Sequence, residues 1–195
     1  MYNFNFVIKN YFLRDLLIQY KTVIKFIITF LIVYAVLTFS YKLYLQHASS
    51  EIYYPDYMTN LVAKQSKEML ETLGYSARVI PHPNEPSMKL IINKKYVARV
   101  IEGCNSVSVI ILFSSFIVAF SGRFKTTVLY LLAGSVLIYI ANLVRVVVLS
   151  IGLYHYPWRK DILHTVIFPA IIYGMVCLLW LFWVNRFSNR RDNDE

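Results

Sequence analysis

"TTVLYLLAGSVLIYIANLVRVVVLSIGL", residues 126–153, carries a single charged side chain, Arg145, in an otherwise uncharged and mostly apolar run. A helix of about 20 apolar residues crosses a hydrocarbon core of roughly 30 Å, so this stretch reads as a membrane span with a guanidinium inside it. The rest of the chain supports that reading. Of its 195 residues, 57% are hydrophobic and the mean hydropathy is +0.50, more than a soluble domain of this length usually carries. Three further apolar segments, 23–45, 104–120 and 163–185, come close to spanning length. The second is the shortest, which sets Cys104 at or just inside one membrane face. The first is long, starts late and lacks a small-residue cleavage site, so it reads as an anchor rather than a signal peptide.

Basic residues orient the spans, because short loops rich in Lys and Arg stay on the cytoplasmic side. Lys9, Arg14, Lys21 and Lys25 cluster at the start of the first span, Arg123 and Lys125 lie between the second and third, and Arg186, Arg190 and Arg191 follow the fourth. All three groups belong to one side, which puts both termini in the cytoplasm. Arg159 and Lys160 in the opposing short loop weaken the contrast. Basic flanks facing anionic lipid account for much of the net charge of +9, so no nucleic acid is needed to explain it.

The expected fold is an all-α membrane protein of four transmembrane helices, with a small α+β extracytoplasmic insertion between the first and second. Residues 1–21 form a basic leader that fits equally an interfacial helix lying on the cytoplasmic surface. A first membrane helix follows over 22–45, then the cap over 46–103, the helical block that carries the candidate site over 104–185, and a cytoplasmic tail over 186–195. Within the cap, helical spacing over 57–73 predicts a helix closed by Gly74. Strand-like runs at 89–92 and 96–101 about an Asn93-Lys94-Lys95 turn predict a hairpin. Some fifty residues are marginal as an independent fold, so the cap should pack on the outer end of the bundle.

Arg145 lies roughly 28 Å along its helix from the cytoplasmic end, in the outer half of the membrane, and Asn142 sits one turn below on the same face. An ionisable group in hydrocarbon costs several kcal/mol without a partner or cavity, which makes Arg145 a functional candidate. His164 falls in the first turn of the fourth span and Cys104 opens the second, both at the outer face. A thiol, an imidazole and a guanidinium drawn from three helices to one level are the parts of a cysteine nucleophile site. The imidazole can accept the thiol proton, and the fixed positive charge can stabilise a thiolate or an anionic intermediate. Small neighbours, Gly103, Asn105 and Ser106, would leave room for a substrate backbone. Each residue alone has a plain alternative: packing for Cys104, an interfacial position for His164, snorkelling for Arg145. Their joint placement is what counts. His155 is a rival base, His47 and His82 read as solvated loop residues, and Cys177 lies too deep to pair with Cys104. No metal site, Walker loop or Gly-x-Ser-x-Gly elbow is expected, and no cofactor is implied.

"EGCNSVSVIILF", "ANLVRVVVLSIG" and "HTVIFPAIIYG", in that order and spacing, resemble the exosortase/archaeosortase group of membrane-embedded sorting enzymes, in particular its short flavobacterial form. The resemblance implies Cys104 as nucleophile with Arg145 and His164 as its partners. It implies cleavage, at the outer face of the inner membrane, of a C-terminal sorting tail made of a short motif, a membrane helix and a basic end, followed by transfer to an acceptor. The partners are then membrane-anchored protein substrates and the lipid bilayer. The chain departs from the larger members in having four spans rather than about eight, and in carrying Asn105-Ser106 where many members have a Ser-Gly pair. A different class also fits the residues: a non-enzymatic membrane assembly or export partner whose Arg145 binds an acidic membrane protein. A thiol-disulfide carrier fits less well, since it would want a second Cys nearby.

Overall fold

The structure, a computed structural model, describes residues 20–48, 53–120, 122–159 and 162–188, apart from the side chains of residues 163, 164, 168, 187 and 188. Most of the basic leader and the end of the tail lie outside these residues. The elements are α1 (Lys21–His47), α2 (Tyr57–Thr72), strands β1 (Ala77–Pro81), β2 (Ser87–Ile92) and β3 (Lys95–Ile101), then α3 (Val107–Ala119), α4 (Phe124–His155) and α5 (Phe168–Trp183). A 3-10 turn, Glu102–Cys104, joins β3 to α3, and π-helical turns flank α5 at Leu163–Ile167 and Val184–Ser188. The first of these stands where Pro169 lacks the N–H that would continue an ordinary helical ladder.

Among the described residues, three helices are long and apolar enough to cross a membrane: Lys21–His47, Phe124–His155 and Thr165–Arg186. The helix after Cys104 is shorter than its apolar run suggests, with 13 residues and a length of about 20 Å against roughly 30 Å of hydrocarbon. Two features stop it from reaching back to Cys104. Asn105 Oδ1 accepts the Val107 N–H at 3.1 Å, and Ser106 adopts a left-handed φ of 66°, which breaks the helical run.

Apolar surface in a bilayer gains nothing from association as such, so these helices are held by close packing and a few hydrogen bonds. Phe113, Ile117, Ile138, Val176 and Trp183 form a buried cluster among α3, α4 and α5. Gly134 lets α3 and α4 approach: a Cβ there would collide with the fully buried Phe113 ring. Phe26 of α1 packs against Phe116 of α3 and Phe120 just beyond its end, at ring-centroid distances of 5.5 and 4.6 Å. Tyr130 Oη donates to the Leu179 carbonyl at 2.8 Å and fixes the antiparallel register of α4 and α5.

The cap holds one more strand than the hairpin expected from sequence. β1, β2 and β3 form an antiparallel sheet in that order. β1 is short, sits at an edge and ends in Pro81, which only an edge tolerates and which hides its strand character. The α2 helix agrees with its predicted span. Asp56 caps its start by accepting the Thr59 N–H at 3.0 Å, and Gly74 at φ +88° closes it with Tyr75 N–H bonded back to the Leu70 carbonyl. The β2–β3 connection is the two-residue turn Asn93-Lys94, both with positive φ, so Lys95 belongs to the strand.

The 32 residues of α4 extend about 48 Å, more than a bilayer core requires, and the surplus carries the cap. Val146 packs with Val62, Ala63, Met88 and Val100, and Val147 with Leu70, Ala77, Leu90 and Ile92. The sheet and α2 thus complete their core on α4, which supplies the apolar area that fifty residues cannot enclose alone.

Candidate active site at the cap end of the bundle

Cys104 ends the turn that brings the chain from β3 into α3, and its side chain is half-buried against the cap cluster of Val62, Ala63, Met88, Val100 and Val146. The turn is held from behind. Asn105, fully buried, donates from Nδ2 to Tyr41 Oη at 2.7 Å and to Thr59 Oγ1 at 3.3 Å, tying the turn to α1 and α2. Ser106 is buried as well, and its hydroxyl donates to the Asn105 carbonyl at 2.5 Å. Neither residue opens space beside the thiol, as their small size had suggested; both brace it. The open side is at Gly103, where an added Cβ would meet only Ile101 Cδ1, at 4.0 Å.

From α4, buried Asn142 donates through Nδ2 to the Cys104 carbonyl at 2.6 Å, and its Oδ1 accepts from an Arg145 guanidinium N–H at 3.4 Å. One amide therefore ties the backbone of the cysteine turn to the guanidinium one helical turn away. Arg145 is half-buried, and among the described residues no carboxylate lies within ion-pair distance of it.

His164 lies in the π-helical turn before α5, and its side chain is outside the described ones. Its backbone height follows from the Tyr130–Leu179 bond. Counting from that bond toward the cap, Asn142 lies about 18 Å up α4 and residue 164 about 22 Å up the antiparallel helix. His155 is held elsewhere. It stands about 20 Å beyond Asn142 along α4 and shares a 3.2 Å hydrogen bond with Tyr75 of the cap. His47 Nδ1–H donates to the Leu43 carbonyl at 2.9 Å, and His82 accepts the Asn84 N–H at 3.3 Å in the β1–β2 turn. Cys177 is exposed on α5, and both cysteines are free thiols. Among the described residues no group of three His, Cys, Asp or Glu could hold a metal ion.

Cys104 also lines a cavity of about 410 Å³ between β3 and one face of α4. The residues 96–100 form one wall, and Val146, Leu149, Ser150 and Leu153 the other. Those four helical positions recur at the i, i+3, i+4, i+7 spacing of a single face. No sequence pattern signalled this cavity, because it arises where a strand edge meets a helix some fifty positions later.

Residues 13–186 match the family described as transmembrane exosortase (Exosortase_EpsH). No curated protein and no solved structure matches the chain. The matched region takes in all of α1 through α5, the cap and the turn that bears Cys104, and on that breadth the chain belongs to the transmembrane exosortase family.

Proposed function

We propose that this exosortase is a cysteine transpeptidase or protease that removes C-terminal sorting tails from exported, membrane-anchored proteins, with Cys104 as nucleophile, His164 as proton acceptor and donor, and Arg145 as the group that binds the developing oxyanion. Membership of the family implies a membrane-embedded sorting transpeptidase role. One observation carries the finer reading: the turn bearing Cys104 lines a cavity while Asn142 ties it to a guanidinium without a carboxylate partner among the described residues.

The thiol gives its proton to the imidazole, and its sulfur attacks the carbonyl carbon of the scissile peptide. The carbonyl oxygen takes up the negative charge beside Arg145, whose planar fork suits an oxyanion in a water-poor setting. Collapse breaks the C–N bond, the imidazolium protonates the leaving amine, and the tail departs with a new amino terminus. An acceptor amine or water then attacks the thioester and returns the thiol. His164 is preferred over His155 because the latter is engaged by Tyr75 some 20 Å away along α4. Arg123 and Lys125 between α3 and α4 favour a cytoplasmic position for that loop, so the cap and thiol would face the periplasm, with α3 as a fourth, short crossing.

The test is replacement of each cysteine in cells that produce tailed proteins. Cys104→Ala should stop tail removal and Cys177→Ala should leave it intact, and the wild-type chain should accumulate a hydroxylamine-sensitive adduct on Cys104. Normal processing by Cys104→Ala would leave the assembly-partner reading standing instead.

A further inference from the structure

β3 is the last strand of its sheet, and the hydrogen-bond alternation shows which of its backbone groups are free. The β1–β2 ladder is closed by His82 N–H to the Ser87 carbonyl and by Asn93 N–H to the Ser76 carbonyl, both at 2.8 Å. Odd-numbered residues of β2 therefore turn their backbone groups toward β1, and Met88, Leu90 and Ile92 turn theirs toward β3. Their partners Val100, Ala98 and Lys95 take those bonds. Arg99 points both its N–H and its C=O out of the sheet, and Ile101 its N–H, while the Ile101 carbonyl takes the first bond of the 3-10 turn Glu102–Cys104.

This open edge runs along the cavity that Cys104 also lines. A row of unpaired donors and acceptors beside an apolar wall is what an extended polypeptide satisfies and a lipid chain does not. The direction is also set. Lys95 lies over the ring of Tyr154 near the far end of α4, whereas β3 finishes three residues before Cys104, at the level of Asn142. β3 thus descends toward the bilayer and delivers its neighbour to the thiol. A substrate whose folded part lies outside and whose tail lies in the membrane descends the same way.

We infer that the stretch of substrate just before the scissile bond binds as an added strand, parallel to β3, along the edge bearing Arg99 and Ile101, with alternate side chains against Leu149 and Leu153 of α4. The inference rests on the proposed processing activity, and it adds the binding mode. At about 3.3 Å per residue, the seven residues of β3 can pair with roughly six or seven residues of substrate. Backbone pairing makes the affinity broadly tolerant of sequence, and the apolar wall selects side chains at every second position. Such recognition suits an enzyme that must accept many exported proteins with different bodies.

Photo-crosslinking of the full chain in its own cells tests this. A benzoylphenylalanine is placed at Val146, Leu149 or Leu153 in the Cys104→Ala background, with an exported fluorescent protein carrying the last sixty residues of a native tailed protein as probe. Position 146 should capture probe residues nearest the cut site, 149 residues further upstream and 153 residues further still. Capture of the tail beyond the cut, of a second copy of the chain, of lipid alone or of nothing overturns the inference, as does the reverse order. As a second arm, Ala98→Leu in the active chain narrows the cavity. It should lower processing at least fivefold while a small maleimide labels Cys104 at the unaltered rate, and normal processing by Ala98→Leu also overturns the inference. Loss of both readouts reports damage to the fold, in which case the order of crosslinks decides. The catalytic reading stands or falls separately on whether Cys104→Ala stops processing.

Discussion

Asn142 and Cys104, 38 positions apart, are joined by a 2.6 Å hydrogen bond from the side-chain amide of one to the backbone carbonyl of the other. The same amide oxygen receives Arg145, so a buried residue that need not touch substrate sets the spacing of two that would.

Asn142→Asp should therefore injure function more than its isosteric size suggests. A carboxylate cannot donate to the Cys104 carbonyl, and it would neutralise Arg145. A buried group left without its partner costs about 1–3 kcal/mol, which corresponds to a fall of roughly ten- to a hundredfold in processing. Processing rate and thermal unfolding of the purified chain should be measured together. A variant that unfolds earlier yet processes tails at the normal rate would remove Asn142 from the positioning role.

Arg145→Lys and Arg145→Ala separate charge from shape. If the guanidinium binds an oxyanion with its fork, both variants should lose about 10²–10³ in turnover, because an ammonium at similar reach restores the charge without the paired donors. Turnover of a tailed reporter decides, and a Lys variant with full activity refutes the fork.

Ser106→Gly should stabilise the protein. Ser106 holds φ at 66°, a region that suits glycine and costs another residue about 1–2 kcal/mol. Loss of its bond to the Asn105 carbonyl offsets part of this, for a net gain on the order of 0.5 kcal/mol. The pairing of small residues after the cysteine thereby acquires a physical reason: the position after Asn105 must turn left-handed. A lowered unfolding temperature for Ser106→Gly would contradict it.

Gly134→Ala should loosen the contact between α3 and α4, since the new Cβ meets the buried ring of Phe113. Overpacking of this kind costs about 1–3 kcal/mol, read as earlier thermal unfolding in detergent. Gly134→Ala combined with Phe113→Leu should recover much of the loss.

Sidedness is open to direct labelling in a chain without its native cysteines. A cysteine placed at Glu85 in the cap should react with an impermeant maleimide in intact cells, and one placed at Lys125 should react only after lysis. The reverse pattern would put the thiol site in the cytoplasm and end the proposal of sorting at the outer face.

Much of this arrangement was readable in the chain because long helices convert sequence position into depth with little error. The apolar runs foretold α1, α4 and α5, and Asn142 and Arg145, one turn apart on a single helix face, do meet through a hydrogen bond. What escaped had no local signature. β1 is five residues ending in proline, and its strand state comes from pairing with β2. The inward roles of Asn105 and Ser106 depend on Tyr41 and Thr59, residues that reach the turn only in three dimensions. The cavity exists because a sheet edge stands beside α4, and neither partner announces the other.

The shortness of α3 sets a height. Its 13 residues, about 20 Å long, leave the turn with Cys104 roughly 10 Å short of a full hydrocarbon crossing. If the proposed chemistry holds, a substrate helix standing alongside would be anchored by its own apolar length and basic end, and the bond reaching the sulfur would be set by its distance from the opposite membrane face. Under the proposed chemistry the protein works as a depth gauge. Lengthening a tail's apolar helix by one turn, about 5.4 Å, would slide a different peptide bond to the thiol, even with the motif left untouched.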